Sequence, residues 1–423
     1  MDKELQQLVD ETQKKFGLKN YYLGRSHLHR EKSHCRETLY YFSMEWFPNQ
    51  FKNWDKEDEN PKGTASIEID LHTKSLRSII FVGGITYAEN ESVFPTYDLE
   101  SVIEWVEEQT GLMWGRQFQL VHEKKDNFLF RGVVDNVPIY PSATIEVKFN
   151  QAREFSFYSM IGDLPKENEV QWEPFSLVPE TLEPVLKDQI TLIELPHLEN
   201  KKWNAVYAVE EVFITNDKTK TIPYDIFQRY GEKVEVNKVM EWEEPLQDEF
   251  VGKPLFVFEE VSMEQAQTKE DHPDFLPITK SEAKAAIQET RDLLRREYPN
   301  DSGKWMLKTI LREEGYIVSL LKPIHSERKV FGDKLKIAMN RDTLQTVNYI
   351  DSSILLTELK DYEKVNEINI SEKEAFEKLR KYIKVTPTYV YDPSVERYRL
   401  CGKIDSDYGV HATTGKVVHL DEL

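Results

Sequence analysis

Thr144-Ile145-Glu146-Val147-Lys148-Phe149-Asn150 decides how this chain is read, because the same pattern recurs at Ser66-Ile67-Glu68-Ile69-Asp70-Leu71-His72 and at Lys334-Leu335-Lys336-Ile337-Ala338-Met339-Asn340. Polar and apolar residues alternate in each copy. Side chains on a strand point to opposite faces with a period of two, so each copy predicts a half-buried strand ending in a polar turn. A looser copy runs from Tyr408 to Val418, where Thr414-Gly415 supplies the turn and Gly415 is free to take positive φ. The chain therefore reads as an array of related small modules.

Helical patterns precede most of these strands. Leu5, Leu8, Val9, Thr12 and Phe16 form one stripe at spacings of three and four, and Leu99, Val102, Ile103 and Val106 form another behind the N-cap residue Asp98. Thr279 with Glu282, and Asn369 with Glu372, each place an oxygen acceptor three residues before a carboxylate, the signature of a capping box. The apolar positions that follow are Ala286, Ile287, Thr290 and Leu294 in one helix, and Ala375, Leu379, Tyr382 and Ile383 in the other. A helix with one apolar stripe must bury it, and the nearest partner is the apolar face of its own sheet. The expected class is α+β, built of tandem helix-on-antiparallel-sheet modules.

Boundaries follow at 1–95, 96–175, a divergent middle at 176–276, 277–365 with an insertion near Trp305 to Phe331, and 366–423. In the middle, Thr181 to Asp188 can form a helix only if Pro184 sits in its first turn. The acidic run at 55–59 reads as a solvated loop.

Composition narrows the function classes. The 423 residues exceed one core, and 39% apolar with 31% charged residues is the balance of a water-exposed globular protein. No run approaches the roughly 18 apolar residues of a membrane span. The net charge of −20 opposes binding to nucleic acid. Without a cationic start followed by an apolar stretch, a cytoplasmic location is expected. Cys35 and Cys401 lie in the first and last modules and are expected to be two unrelated thiols.

Tyr389-Val390-Tyr391-Asp392-Pro393, Tyr398-Arg399-Leu400-Cys401 and the closing Val410-His411-Ala412-Thr413-Thr414-Gly415-Lys416-Val417 resemble the PepSY-like modules of the bacillar YcdB/YcdC repeat proteins. The resemblance runs through 366–423, extends to 277–365 and reaches the two N-terminal modules. It implies a cystatin-like helix-on-sheet fold and a role in restraining peptidases or sensing peptides, with no catalytic residues. His411 stands where the pattern usually has Asp or Asn.

No nucleophile elbow, phosphate-cradling glycine loop or dinucleotide fingerprint is present. One cluster has metal-ligand chemistry: His27, His29, His34 and Cys35 lie within nine residues. If Tyr21–His29 and His34–Phe42 are hairpin arms, His27 and His29 share a face while His34 or Cys35 faces them across the turn, a donor set suited to zinc or copper. The simpler reading is a polar hairpin tip. Tyr21, Tyr22, Tyr40, Tyr41, Phe42, Trp46 and Phe47 crowd the same module, either as core or as a face for a partner. The leading expectation is a protein without cofactor that binds a peptide or protein and is not an enzyme. A metal-binding protein or metal-dependent enzyme using the His27/His29/His34 cluster is the alternative, followed by a hydrolase whose site is assembled in space.

Overall fold

The computed structural model describes the chain apart from residues 1, 53, 55–58, 90–92, 225–231, 257–259, 325–333, 354–356 and 366. Most of the acidic run at 55–59 and the distal part of the expected insertion therefore lie outside the described residues. Among the described residues the architecture is mixed α+β, with large, mainly antiparallel sheets and few helices, and no sheet closes into a barrel.

Two compact units are each assembled from three stretches of chain. One takes in Met1–Trp172, Phe258–His272 and Thr388–Leu400, and the other Glu173–Val257, Pro273–Pro387 and Cys401–Leu423. In the first unit, α1 (Lys3–Lys15) and α2 (Leu99–Thr110) cover a sheet whose order is β1 (Tyr21–Lys32), β2 (Thr38–Pro48), β3 (Ala65–Asp70), β4 (Leu76–Phe81), β9 (Phe155–Ile161), β8 (Thr144–Phe149) and β6 (Asn127–Val134). β5 (Phe118–Lys124) and β7 (Val137–Tyr140) both pair with β6. The helices bury Leu5, Leu8, Val9, Thr12, Val102 and Val106, as their spacing predicts. Asp98 caps α2 by accepting from Ser101 N at 2.9 Å. The strands contribute Phe42, Trp46, Ile67, Phe128, Phe130, Val147 and Tyr158 to the same core.

The aromatic run of the first module is mostly core: Tyr21, Tyr40, Tyr41, Phe42, Trp46 and Phe47 are all buried. A second layer of chain closes on this sheet from residues 260–272. Val261 N donates to Leu28 O, α4 (Met263–Thr268) packs Ala266 into the core, and the buried Arg30 guanidinium donates to Glu270 Oε1 at 3.0 Å.

Among the described residues, two sheets lie wholly within the second unit. β11 (Ile190–His197), β12 (Lys202–Val209), β22 (Tyr408–His411) and β23 (Val417–His419) form one, against which α6 (Glu372–Leu379) packs Ala375, Phe376 and Leu379. α3 (Glu183–Asp188) joins this core with Pro184 in its first turn. The other sheet runs β15 (Lys233–Met240), β16 (Trp305–Glu313), β17 (Tyr316–Pro323), β18 (Leu335–Asn340) and β19 (Thr346–Asp351), beneath α5 (Lys280–Glu297). Thr279 and Glu282 make the expected capping box of α5. The cap of α6 is Ser371 with Glu374, two residues beyond the expected Asn369. Asn369 N and Ile370 N are already committed to Ala412 O, which holds that stretch extended and delays the helix.

The four recurring segments all become the first arm of a hairpin, into β4, β9, β19 and β23. At three of them an Asx side chain organises the turn. Asp70 Oδ1 accepts from His72 N and Thr73 N, Asn150 Oδ1 from Ala152 N and Glu154 N, and Asn340 Oδ1 from Asp342 N and Thr343 N. One residue of each turn takes positive φ, namely Lys74, Arg153, Leu344 and Gly415. The fourth turn has no Asx side chain in that place: His411 N donates to Lys416 O, Gly415 N to His411 O and Lys416 N to Thr414 Oγ1, and glycine supplies the left-handed residue at no steric cost.

Thr290 on α5 and Ser319 on β17 are fully buried and bond through their hydroxyls at 2.8 Å. Thr290→Val or Ser319→Ala alone strands one hydroxyl and is expected to cost about 1–3 kcal/mol in urea melts. The double variant removes both partners and is expected to recover most of that loss.

Candidate functional site

The expected metal ligands separate. β1 runs to Lys32 and β2 begins at Thr38, so His34 and Cys35 sit in the turn itself and do not face β1. The residues opposite His27 and His29 are Ser43 and Tyr41. His27 and His29 do share a face, with ring centroids 5.6 Å apart. His29 Nε2 reaches Glu68 Oε1 at 3.2 Å, and Glu31 is shared with Arg77, whose guanidinium lies over the Tyr41 ring. Burial, reinforced by the neighbouring His29, holds His27 below the usual imidazole range. Among the described residues no group of three or more His, Cys, Asp or Glu side chains is placed to hold a metal ion, so the metal alternative gains no support from the geometry. These side chains form a network of polar contacts on a sheet face.

His34 turns the other way and is buried. Its Nδ1 lies 3.3 Å from Asp163 Oδ2, its Nε2 hydrogen-bonds the Tyr398 hydroxyl, and its ring packs edge-on against Tyr391. The β1–β2 turn, the segment after β9 and the stretch 391–398 are thereby tied together. Cys35 joins this cluster, and burial together with Glu169, Asp163 and Glu37 pushes its thiol up to about 12. A nucleophilic or metal-binding cysteine needs the thiolate, and this environment opposes it. The cluster works as a structural clasp.

A cleft of about 220 Å³ lies away from every candidate residue read from the sequence. Met113, Val133, Val134, Leu164, Val170 and Trp172 provide its apolar lining. Three local features shape it. The Asp135-Asn136 hairpin turn takes positive φ at both residues and ends β6, which sets Val133 and Val134 as the floor. The bonds Val133 N to Gln117 O and Asp135 N to Arg116 O hold the segment after α2 alongside. On the other side, Val170 and Gln171 pair in parallel with Tyr398 and Arg399, and Trp172 meets the Tyr389 ring edge-on at 6.2 Å. Trp172 nevertheless stays 51% exposed and Met113 47% exposed, large apolar surfaces that the fold leaves in water. Arg116 donates to Asp135 Oδ1 at 3.1 Å on the rim, and Lys166 sits 3.2 Å from Glu37. A readable signal did exist: Trp172 lies in a short Val-Gln-Trp-Glu-Pro segment with too few apolar neighbours to bury an indole.

No family model matches the chain, and no curated protein matches it. Among solved structures it is similar to the Bacillus megaterium YpeB C-terminal domain, at 10% identity and a TM-score of 0.22 over 83% of this chain and 97% of that one. No helix among the described residues is long and apolar enough to cross a membrane.

The raised Cys35 thiol sets an alkaline dependence. The unfolded thiol ionises near pH 9, the folded one near 12, so the unfolded state loses its proton first and stability falls across that window. Cys35→Ser is expected to flatten the loss of stability between pH 9 and 12 in urea melts. Alkylation of native Cys35 by iodoacetamide at pH 8 is expected to be far slower than that of the unfolded chain.

Proposed function

We propose that this chain is a non-enzymatic binding or regulatory protein, built of PepSY-like helix-on-sheet modules, that holds a peptide or protein partner. The observation that carries the reading is the cleft between Met113 and Trp172. Its floor is apolar, its walls are fixed by backbone hydrogen bonds, and its largest side chain remains half in water. Burying Trp172 against a partner releases the water it now orders, and Trp is among the residues that most often dominate binding energy.

The volume decides the size of the ligand. Small-molecule sites usually measure roughly 300–1,000 Å³, and this one falls below that range. It accommodates one anchoring side chain of a longer chain better than a whole metabolite. The modular part of the proposal rests on the sequence resemblance at 366–423 and on the four segments that each open a hairpin with one residue of its turn at positive φ. Module boundaries at 95, 175, 276 and 365 belong to the same proposal.

The test is a selection of displayed random peptides on the full chain, with Trp172→Ala as counter-screen. Selected peptides are expected to carry one large apolar residue and to lose about 2 kcal/mol, or roughly thirtyfold in Kd, against Trp172→Ala. Peptides that bind both proteins equally, or none at all, would remove the cleft from the proposal.

A further inference from the structure

We propose that residues 242–256 lie on the second unit as a peptide bound in cis, and that the groove beneath them takes an extended acidic peptide from a partner when they lift away. The groove is separate from the cleft at Trp172, so the two readings stand or fall independently.

The segment has neither helix nor strand, and from 241 to 256 every residue is exposed except Trp242, Leu246, Phe250 and Leu255. The first three of these anchors recur at every fourth residue. Trp242 and Phe250 pack against the core that α5 makes with its sheet, Phe250 lying 5.9 Å from the Tyr349 ring. Between the anchors the backbone is gripped by single groups of the module. Arg295 Nε donates to Glu244 O at 2.7 Å and Leu246 N donates to Arg295 O. Lys253 N donates to Val347 O on β19, and Asn348 Nδ2 donates to Lys253 O at 2.9 Å. Phe256 N donates to the Tyr316 hydroxyl, which donates back to Phe256 O. Main-chain hydrogen bonds with side-chain anchors at intervals are how extended peptides are recognised at a sheet edge, and β19 is the last described strand of its sheet.

The walls do not depend on the occupant. Tyr349 donates to Glu297 Oε2 at 2.9 Å, Tyr298 to Asp351 Oδ2 at 2.5 Å, and Thr346 N to Glu289 Oε2 at 3.1 Å, so the end of α5 and β19 are tied to each other directly. The occupant is held more lightly, with Val251 76% and Phe256 74% exposed.

Charge sets the class of peptide. Residues 241–249 carry five carboxylates, the last turn of α5 presents Arg295 and Arg296, and Arg296 Nε donates to Asp248 Oδ2 at 2.7 Å. The aspartate stays 61% exposed, so this pair adds register and selectivity more than affinity. Gly252 passes Asn348 so closely that a β-carbon there would lie 2.8 Å from its Oδ1, which asks for glycine at that point of the peptide.

A segment tethered in cis competes at high effective concentration, so a partner peptide binds the intact chain more weakly than a chain whose own segment is displaced. The probe is a labelled peptide with the sequence of residues 241–256. It is titrated by fluorescence anisotropy onto the intact protein and onto Asp248→Lys/Gly252→Val, whose two changes fall on exposed positions of the segment. The double variant is expected to bind roughly tenfold or more tightly than the intact protein. Adding Arg296→Glu is expected to remove that gain, and a peptide carrying Asp248→Lys is expected to restore it. Equal binding by the intact protein and the double variant, binding that ignores Arg296→Glu, or a double variant that no longer folds overturns the inference. Binding that is lost in Trp172→Ala places the peptide in the cleft and also overturns it. So does native-state hydrogen exchange in which the amides of Leu246 and Lys253 are protected as strongly as those of Ile310 and Val318 in the core strands.

Discussion

Everything in this protein depends on antiparallel strands that are apolar on one face only. Such a strand cannot slip by one residue without exposing its whole apolar set, so alternation pins register as well as burial. Ile145, Val147 and Phe149 on β8 point into the first core, and Glu146 and Lys148 between them form an ion pair on the other face. The same division runs along β3, where Ile67 and Ile69 are core and Glu68 meets His29. The helices are the second half of this constraint, because a sheet with one apolar face needs a cover and an amphipathic helix needs a floor.

The polar face that results explains the histidines. His27 and His29 share one face of β1, their rings packed together, with Glu68, Glu31 and Tyr41 as the neighbours of His29. His34 and Cys35, only a few residues away, fall in a turn that is folded inward against Tyr391 and Tyr398. Nearness in sequence said little here, since a turn of five residues reverses the direction in which side chains point. The same turn becomes a fixed part of the fold because His34 spends both ring nitrogens on bonds to other segments.

The cleft arises from the ends of elements. α2 stops at Gly111 in the left-handed conformation, β6 turns at Asp135-Asn136, and β9 passes through Gly162 into the segment that carries Leu164. Three ends leave a space that no single side chain fills, and the short parallel pairing of Val170 with Tyr398 places Trp172 beside it. Backbone-bonded elements thus hold a small apolar opening whose charged lining is balanced, Arg116 and Lys166 against Asp135 and Glu167. Binding at such a place costs little reorganisation, because its walls are already hydrogen-bonded.

Much of the fold was written in local patterns. The helix stripes at Leu5–Phe16 and Leu99–Val106, the cap at Thr279, the tolerated Pro184 and the recurring strand-and-turn segments depend on neighbours within a few residues, and the sequence alone determined them. The cap of α6 moved from Asn369 to Ser371 because a distant carbonyl, Ala412 O, claimed the intervening backbone. Which strands lie side by side was likewise outside local reach: β12 pairs with β22 across two hundred residues, and segment 260–272 returns to cover β1. The candidate site belongs to this second class. Its lining comes from 113, 116–117, 133–135, 164–167, 170 and 172, and only the tertiary structure decided that these meet, because a cleft is a property of where elements end relative to one another and local propensity carries no information about that distance.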